Sequence, residues 1–310
     1  MKSKLIPLLY ITLHLCAQGA WAQVPDGSDM HLPRTPFRLQ SRAEVQLPPA
    51  VDNSTRKFFP PILDQMGGSC AQASGIGYMF TYEINRLLDR DAHASADHRF
   101  SYQFSWNLLN DGQDQGDFVD QGLYLSERYG IMTEQDYGIS GTYQFKWATG
   151  YDKYYKALQY RTQEVLTFTD SIPLMKRWLY DAGDGSAVGG VLTFSAMSRG
   201  WEIDDDYQGP SLTGYRSLLK GLATDGAHAL TIAGYDDTVV YTDAQGTPHT
   251  GAFIVVNSWG THSHDRGRFY LPYDFFRDTR VPEQQLGSTV EAIRVRIHRP
   301  LVVFRLALDF

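Results

Sequence analysis

The hydrophobic period of this chain changes once, and that change limits its architecture more than any other feature. Ala73, Ile76, Phe80, Ile84 and Leu87 recur every three or four positions, the spacing of one helix face. This helix is expected to end near Arg90. Residues 101–110 and 117–130 give two shorter helical stretches, the second closed by Gly130, and "IPLMKRWLYDA" at 172–182 gives another. The later segments "SAVGGVLTF", "HALTIAGY", "GAFIVVNSW", "GRFYL" and "VEAIRVRIH" are short, rich in branched and aromatic residues, and separated by turns. They read as strands. A helical first half followed by a stranded second half predicts an α+β fold. With 310 residues, 43% of them hydrophobic, the chain can bury one large core or two small ones.

The first residues read as an address. Lys2 and Lys4 precede an apolar run from Leu5 to Cys16, and the small residues Ala20 and Ala22 flank an expected cut after Ala22. Residues 1–22 are therefore expected to be a cleaved signal peptide, and the mature chain to be secreted or periplasmic. The run is too short to span a bilayer, and no later stretch is long and apolar enough. Cys16 is a poor lipid-attachment site, because bulky Leu15 precedes it. Residues 23–47 hold Pro25, Pro33 and Pro36, and Pro48, Pro49 and Pro60 follow; the segment reads as an extended arm, not a packed unit. That leaves 48–310 as the folded domain, with a helical lobe over about 65–165 and a strand-rich lobe over about 166–310. The net charge of −7 is spread along the chain. No basic patch argues for nucleic acid, and no polybasic run argues for an anionic membrane surface.

Removing the signal leaves Cys70 as the single cysteine, so no internal disulfide can form. It stands in "QMGGSC", where Ser69 and Gln72 make the S-x-x-Q signature of a capping box. That places Cys70 in the first turn of a helix, where free N–H groups and the helix dipole favour a thiolate and are expected to lower the thiol pKa. Gly67 and Gly68 allow a sharp turn that leaves the sulfur uncovered. Taken alone, this context leaves a reactive thiol and a buried inert one as open alternatives.

A reactive thiolate needs a base. Most histidines sit in polar loops, but His228 opens a strand on the face shared by Leu230 and Ile232. The next strand ends at Asn257, and the two form a hairpin around "DAQG". In an antiparallel hairpin the start of one strand lies opposite the end of the other, so 228 falls roughly beside 257. An Asn amide oxygen can accept an imidazole N–H and fix its tautomer. A lone His would read as a satisfied core residue and a lone Asn as a turn residue; together, with a helix-start Cys, they point to chemistry.

These residues lie in segments that resemble the papain family of cysteine peptidases. "PPILDQMGGSCAQA" is similar to the family's stretch from oxyanion-hole glutamine to nucleophile, "GAHALTIAGYDD" to its histidine segment, "FIVVNSWGT" to its Asn-Ser-Trp-Gly motif, and "YGIMTEQDY" to the stretch closing its helical lobe. The resemblance runs from about Leu47 to the region of Tyr270, with Cys, His and Asn in the family's order. It implies a two-lobed fold with the cleft between the lobes. It also implies peptide-bond hydrolysis through a thioester, with no metal or cofactor, on a peptide or protein substrate. By position, Cys70 would be the nucleophile, His228 the general base and acid, Asn257 the residue orienting the imidazole, and Gln65 an oxyanion donor beside the Cys70 N–H. Trp259 would shield the His–Asn bond from water, and Gly116 would offer backbone to an extended substrate.

The chain departs from the family in several places. The interval from Gln65 to Cys70 is one residue shorter than usual, Ala71 replaces a tryptophan, the disulfides are absent, and "HSHDRG" stands where the family has a further tryptophan. Only about 25 residues separate the cut site from the start of similarity, too few for the long inhibitory prosegment of plant and animal members. Two rival functions follow: acyl transfer to an amine by the same Cys-His-Asn chemistry, as in transglutaminase-like enzymes or ligases, and non-catalytic peptide binding. Oligomeric state is not legible. The remaining features read as bland: His262 and His264 as exposed loop polarity, not a metal pair, Asp204–Asp206 as a solvated run, and "NST" at Asn53 as a sequon that matters only in a eukaryotic secretory pathway.

Overall fold

A computed structural model describes residues 30–39, 45–138, 148–169, 171–243, 246–277, 286–287 and 289–299. The expected signal peptide lies outside the described residues. Among these residues no helix is long and apolar enough to cross a membrane.

The helices stand close to where the periodicity puts them. A continuous helix runs over 70–88; it starts as α-helix, is π-helical over Ala73–Phe80, and returns to α-helix over Thr81–Leu88. It stops at Asp89, whose φ of 52° breaks the ladder. Tyr102–Leu109 begins where the Ser101 hydroxyl accepts from the Phe104 N–H. Val119–Tyr129 ends at Gly130, and Ile172–Asp181 is capped by Ser171.

The strands are β1 (Arg34–Pro36), β2 (Ala50–Asp52), β3 (Tyr160–Phe168), β4 (Leu192–Met197), β5 (Glu202–Asp204), β6 (Leu218–Gly221), β7 (Ala227–Thr242), β8 (Pro248–Val256), β9 (Arg268–Pro272) and β10 (Val290–Ile297). They make one sheet in the order β1-β3-β10-β4-β7-β8-β9-β6-β5, with β2 also paired to β7. Alternate residues of the central strands feed different cores. Leu166, Ile232, Val255 and Ala292 join the helix 172–181 in one core, whereas their neighbours Val165, Ala233, Val256 and Ile293 pack with the helix 70–88 in the other. Burial on both faces explains why segments such as "FIVV" read as unbroken apolar runs and not as alternating ones. The result is an α+β molecule with a helical core and a strand-rich core on a shared sheet.

The proline-rich arm is not merely extended. Its β1 pairs in parallel with β3, Arg34 opposite Val165 and Pro36 opposite Thr167. Phe37 follows at 5% exposure and stacks on Phe168, with its edge to Trp178. Proline content argued for extension; the buried phenylalanine between prolines decides the docking. The Asn53 sequon also reads differently. Asn53 is fully buried, and its amide donates to Leu179 O at 2.8 Å and Gly190 O at 2.9 Å, so the folded chain offers no glycosylation site there.

Candidate active site

Cys70 opens the long helix, but the expected capping box does not form. The Ser69 hydroxyl donates backwards to Met66 O at 2.7 Å, and the Gln72 amide donates to Phe118 O at 3.1 Å. The tight entry turn explains this. Gly67 has φ of 53°, and a Cβ at Gly68 would stand 2.8 Å from the Gly116 nitrogen, so the 115–116 backbone passes directly over the turn. That contact draws Ser69 away from the helix N–H groups. It also places the Gly116 backbone within two residues of Cys70. The helix start is pinned to the sheet by Ser74, whose hydroxyl lies 2.7 Å from Thr193 Oγ1 and 2.9 Å from Thr231 Oγ1.

His228 lies at the start of β7, opposite Ala196 of β4. Extending the Thr231–Val256 register of the β7–β8 hairpin brings 228 opposite 259, with 257 on the same face. Both contacts form: His228 Nε2 is 2.8 Å from Asn257 Oδ1, and the ring stacks on Trp259 at 4.6 Å between centroids and 24° between planes. The Ser258 N–H also donates to Asn257 Oδ1 at 2.8 Å. The amide oxygen therefore faces the ring, Nε2 carries the proton, and Nδ1 is left as the basic nitrogen. Trp201, which sequence reasoning missed, closes a second side, 6.2 Å from His228 and 5.4 Å from Trp259. Tyr78 was missed too. Its hydroxyl accepts from Leu63 N at 2.7 Å and donates to Asn257 O at 2.9 Å, so the helix that carries Cys70 also anchors Asn257. The signal for Tyr78 lay in its helix position, eight residues beyond the cysteine, but a buried Tyr there reads as ordinary core.

Cys70 and His228 line one cavity of about 230 Å³ with Asp117, Phe118, Arg34 and Glu291. Gln65 does not line it. The segment around Gln65 zips onto the Asn257 loop instead: its N–H donates to Ser258 O at 2.7 Å, its Oε1 accepts from the Ser258 hydroxyl at 2.5 Å, and its Nε2 donates to Gly67 O at 2.9 Å. One amide hydrogen of Gln65 has no part in these bonds. Arg34 of the arm bonds Glu291 and Asp120, which line the same cavity, whereas Asp117 in that lining has no ion-pair partner among the described residues and only the Gln72 amide beside it.

The electrostatics reverse one expectation. Burial pushes the Cys70 thiol up and nearby Asp117 pushes it further; the backbone N–H groups of Ala229 and of the helix start pull down without prevailing. Burial likewise lowers His228 to about 4, against the raising effect of the Asn257 bond, and raises Asp117 to about 7. The expected lowering of the thiol fails because the sulfur is desolvated where the helix meets β7. Both shifts favour the thiol and the neutral imidazole over the ion pair. Alkylation of Cys70 by iodoacetamide should then rise about tenfold per pH unit below the thiol pKa, not stay fast in mild acid. Asp117→Asn should shift that profile to lower pH; a flat rate from pH 5 to 8 would show a preformed thiolate–imidazolium pair instead.

The H-x-H pair is not exposed polarity throughout. The His264 side chain is only 9% exposed and lies beside Asn257. Among the described residues no group of three or more His, Cys, Asp or Glu side chains converges as a metal site.

No protein-family model matches the chain, and no curated protein matches it by sequence. Solved structures do. Xylellain, a cysteine protease from Xylella fastidiosa, superposes with a TM-score of 0.57 at 19% identity over 85% of this chain and 91% of that one. The cysteine protease and lectin-like domains of a surface-layer-associated protein of Clostridium difficile give 0.54 at 17% identity, covering 82% of this chain and 53% of theirs. A cysteine protease of Carica candamarcensis gives 0.51 at 16% identity over 80% and 98%. With a helical core and a strand-rich core on a shared sheet, and structural neighbours of this kind, the chain has the papain-like cysteine protease fold.

Proposed function

We propose that this chain is a cysteine peptidase, exported through residues 1–22, that hydrolyses peptide bonds of a peptide or protein substrate. The observation that carries the reading is the buried bond from His228 to Asn257 beside a cavity that Cys70 shares. In the reaction, His228 Nδ1 takes the thiol proton as Cys70 Sγ attacks the carbonyl carbon. The same nitrogen then gives the proton to the departing amine, leaving a thioester. Water attacks the thioester with its proton going to Nδ1, and the thiol is restored as the acid leaves. Because the shifts favour the neutral pair, the proton moves during attack and not before it. Trp259 and Trp201 keep water from the His228–Asn257 bond, which strengthens it. The exposed ring of Phe118, at the cavity rim, is a surface for an apolar substrate side chain.

The test is mass spectrometry of a peptide library incubated with the protein in ¹⁸O-water. Hydrolysis gives new C-termini carrying one label. Products joined to an added amine would favour the transferase reading, and an uncut library would favour a peptide-binding homologue. Gln65 is the upstream amide donor, with one N–H still to give. Gln65→Ala should lower kcat by roughly 10²–10³ at nearly constant KM. A wild-type rate in that variant would show that the oxyanion is held by other donors.

A further inference from the structure

Two features that read as bland in the sequence meet behind the candidate base. His264, from the H-x-H pair, and Asp205, from the aspartate run, lie 3.3 Å apart through Nδ1 and Oδ1. The other ring nitrogen, Nε2, is 3.5 Å from Asn257 Nδ2. Ser217 Oγ donates to the same Asp205 oxygen at 2.7 Å. The His264 ring is enclosed by Trp201 at 5.9 Å, Trp259 at 6.3 Å and Phe269 at 5.3 Å. An amide nitrogen only donates, so contact with Asn257 requires His264 Nε2 to be unprotonated. Nδ1 then carries the proton and gives it to Asp205. Every donor in the series points away from Cys70: His228 Nε2–H to Asn257, Asn257 Nδ2–H to His264, His264 Nδ1–H to Asp205. Bonds aligned in this way polarise one another inside a low-dielectric interior.

We propose that His264 is a positioning residue, which holds the Asn257 amide with its oxygen towards His228 and releases that hold when it is protonated. This rests on the peptidase reading for its kinetic consequences. A protonated His264 would set an N–H against the Asn257 NH₂. Relief by an amide flip would set that NH₂ against His228 Nε2–H, a second clash of donors. The charged and titratable groups facing His264 are Asp205, from the turn after β5, and His228, across Asn257; its other sides are the aromatic rings. Asp205 favours the charged ring, whereas burial, the larger influence, keeps its pKa below the ordinary histidine value. Each imidazolium also disfavours the other.

The test pairs kinetics with histidine ring titrations by NMR on the full chain. His264→Phe keeps a ring in the box but removes the acceptor. It should lower kcat about three- to tenfold, the rate equivalent of one net hydrogen bond, with KM unchanged. The acid limb of the rate profile should change from a two-proton to a one-proton fall, and the His228 ring titration should shift, because both the Asn257 bond that raises it and the His264 charge that lowers it are altered. His264→Gln, whose amide oxygen can accept from Asn257, should recover most of kcat without the two-proton limb. Wild-type kcat and an unmoved His228 titration in His264→Phe would overturn the proposal. If the wild-type chain hydrolyses nothing, the peptidase reading fails, yet the ring titration still decides: a His228 shift supports the coupling and no shift overturns it. If His264→Phe loses its cooperative melt, Asp205→Asn replaces it. Loss of the carboxylate should lower the His264 pKa and move the acid limb to lower pH, and an unmoved limb would overturn the proposal.

Discussion

Cys70→Ala is expected to lower kcat for peptide hydrolysis by roughly 10⁶, the scale on which a covalent nucleophile is missed, while the circular dichroism spectrum and melting temperature stay near wild type. The side chain is small and half-buried, and the helix it opens is held by other groups: Ser74 on Thr193 and Thr231, and Tyr78 on Leu63 and Asn257. Losing one sulfur disturbs none of them. His228→Ala should come close to the same loss, because burial favours the protonated thiol, which needs a base to attack. Asn257→Ala should be milder: the imidazole keeps its stack on Trp259 and loses only its fixed tautomer. Residual hydrolysis in Cys70→Ala above about one part in 10⁴ would mean that another group carries the reaction.

The second large effect is on stability. A chain beginning at Leu47 should be destabilised by at least the cost of Phe37→Ala, about 3–5 kcal/mol for a buried phenylalanine. Its melting temperature should fall by roughly 10 °C or more. The arm supplies a strand to the sheet edge, the Phe37 stack on Phe168 and Trp178, and Arg34 to the cavity lining. Without Arg34, Asp120 and Glu291 lose their guanidinium partner, and burial already raises the Glu291 carboxyl. The arm therefore belongs to the working molecule, and the chain cut after Ala22 should be active as it stands. Thermal melts and assays of the two lengths side by side check this; greater activity in the shorter chain would show the arm to be inhibitory.

The helices were legible because their marks are local. Gly130 stops one of them, and the apolar spacing names the buried face from Ala73 to Ile84, although Leu87 in the last turn is exposed. The His–Asn pair was legible because a hairpin converts sequence distance into register; Trp259 came only from the family resemblance. Other contacts depended on where distant chain segments cross. Ser69 looked like a cap until the 115–116 backbone crossed Gly68. Cys70 looked like a thiolate because helix-start N–H groups are visible in sequence while the desolvation that outweighs them is not. His264 sat among polar neighbours and read as solvated, yet a box of Trp201, Trp259 and Phe269, drawn from three separate segments, closes over it.

The shared sheet has a consequence for how the molecule comes apart. Neighbouring residues of β3, β7, β8 and β10 belong to opposite cores, so every strand that backs the helical core also backs the strand-rich one, and the helical half has none of its own that could survive alone. Melting the helical half would strip one face of the strands on which the other half is built. Calorimetry should therefore record one endotherm, with calorimetric and van't Hoff enthalpies in agreement. Slow amide exchange should be matched between the helix 70–88 and β7, as within one cooperative unit. Cys70 on that helix and His228 on that strand would then be lost and regained together, so that no partly open form exposes the thiol without its base.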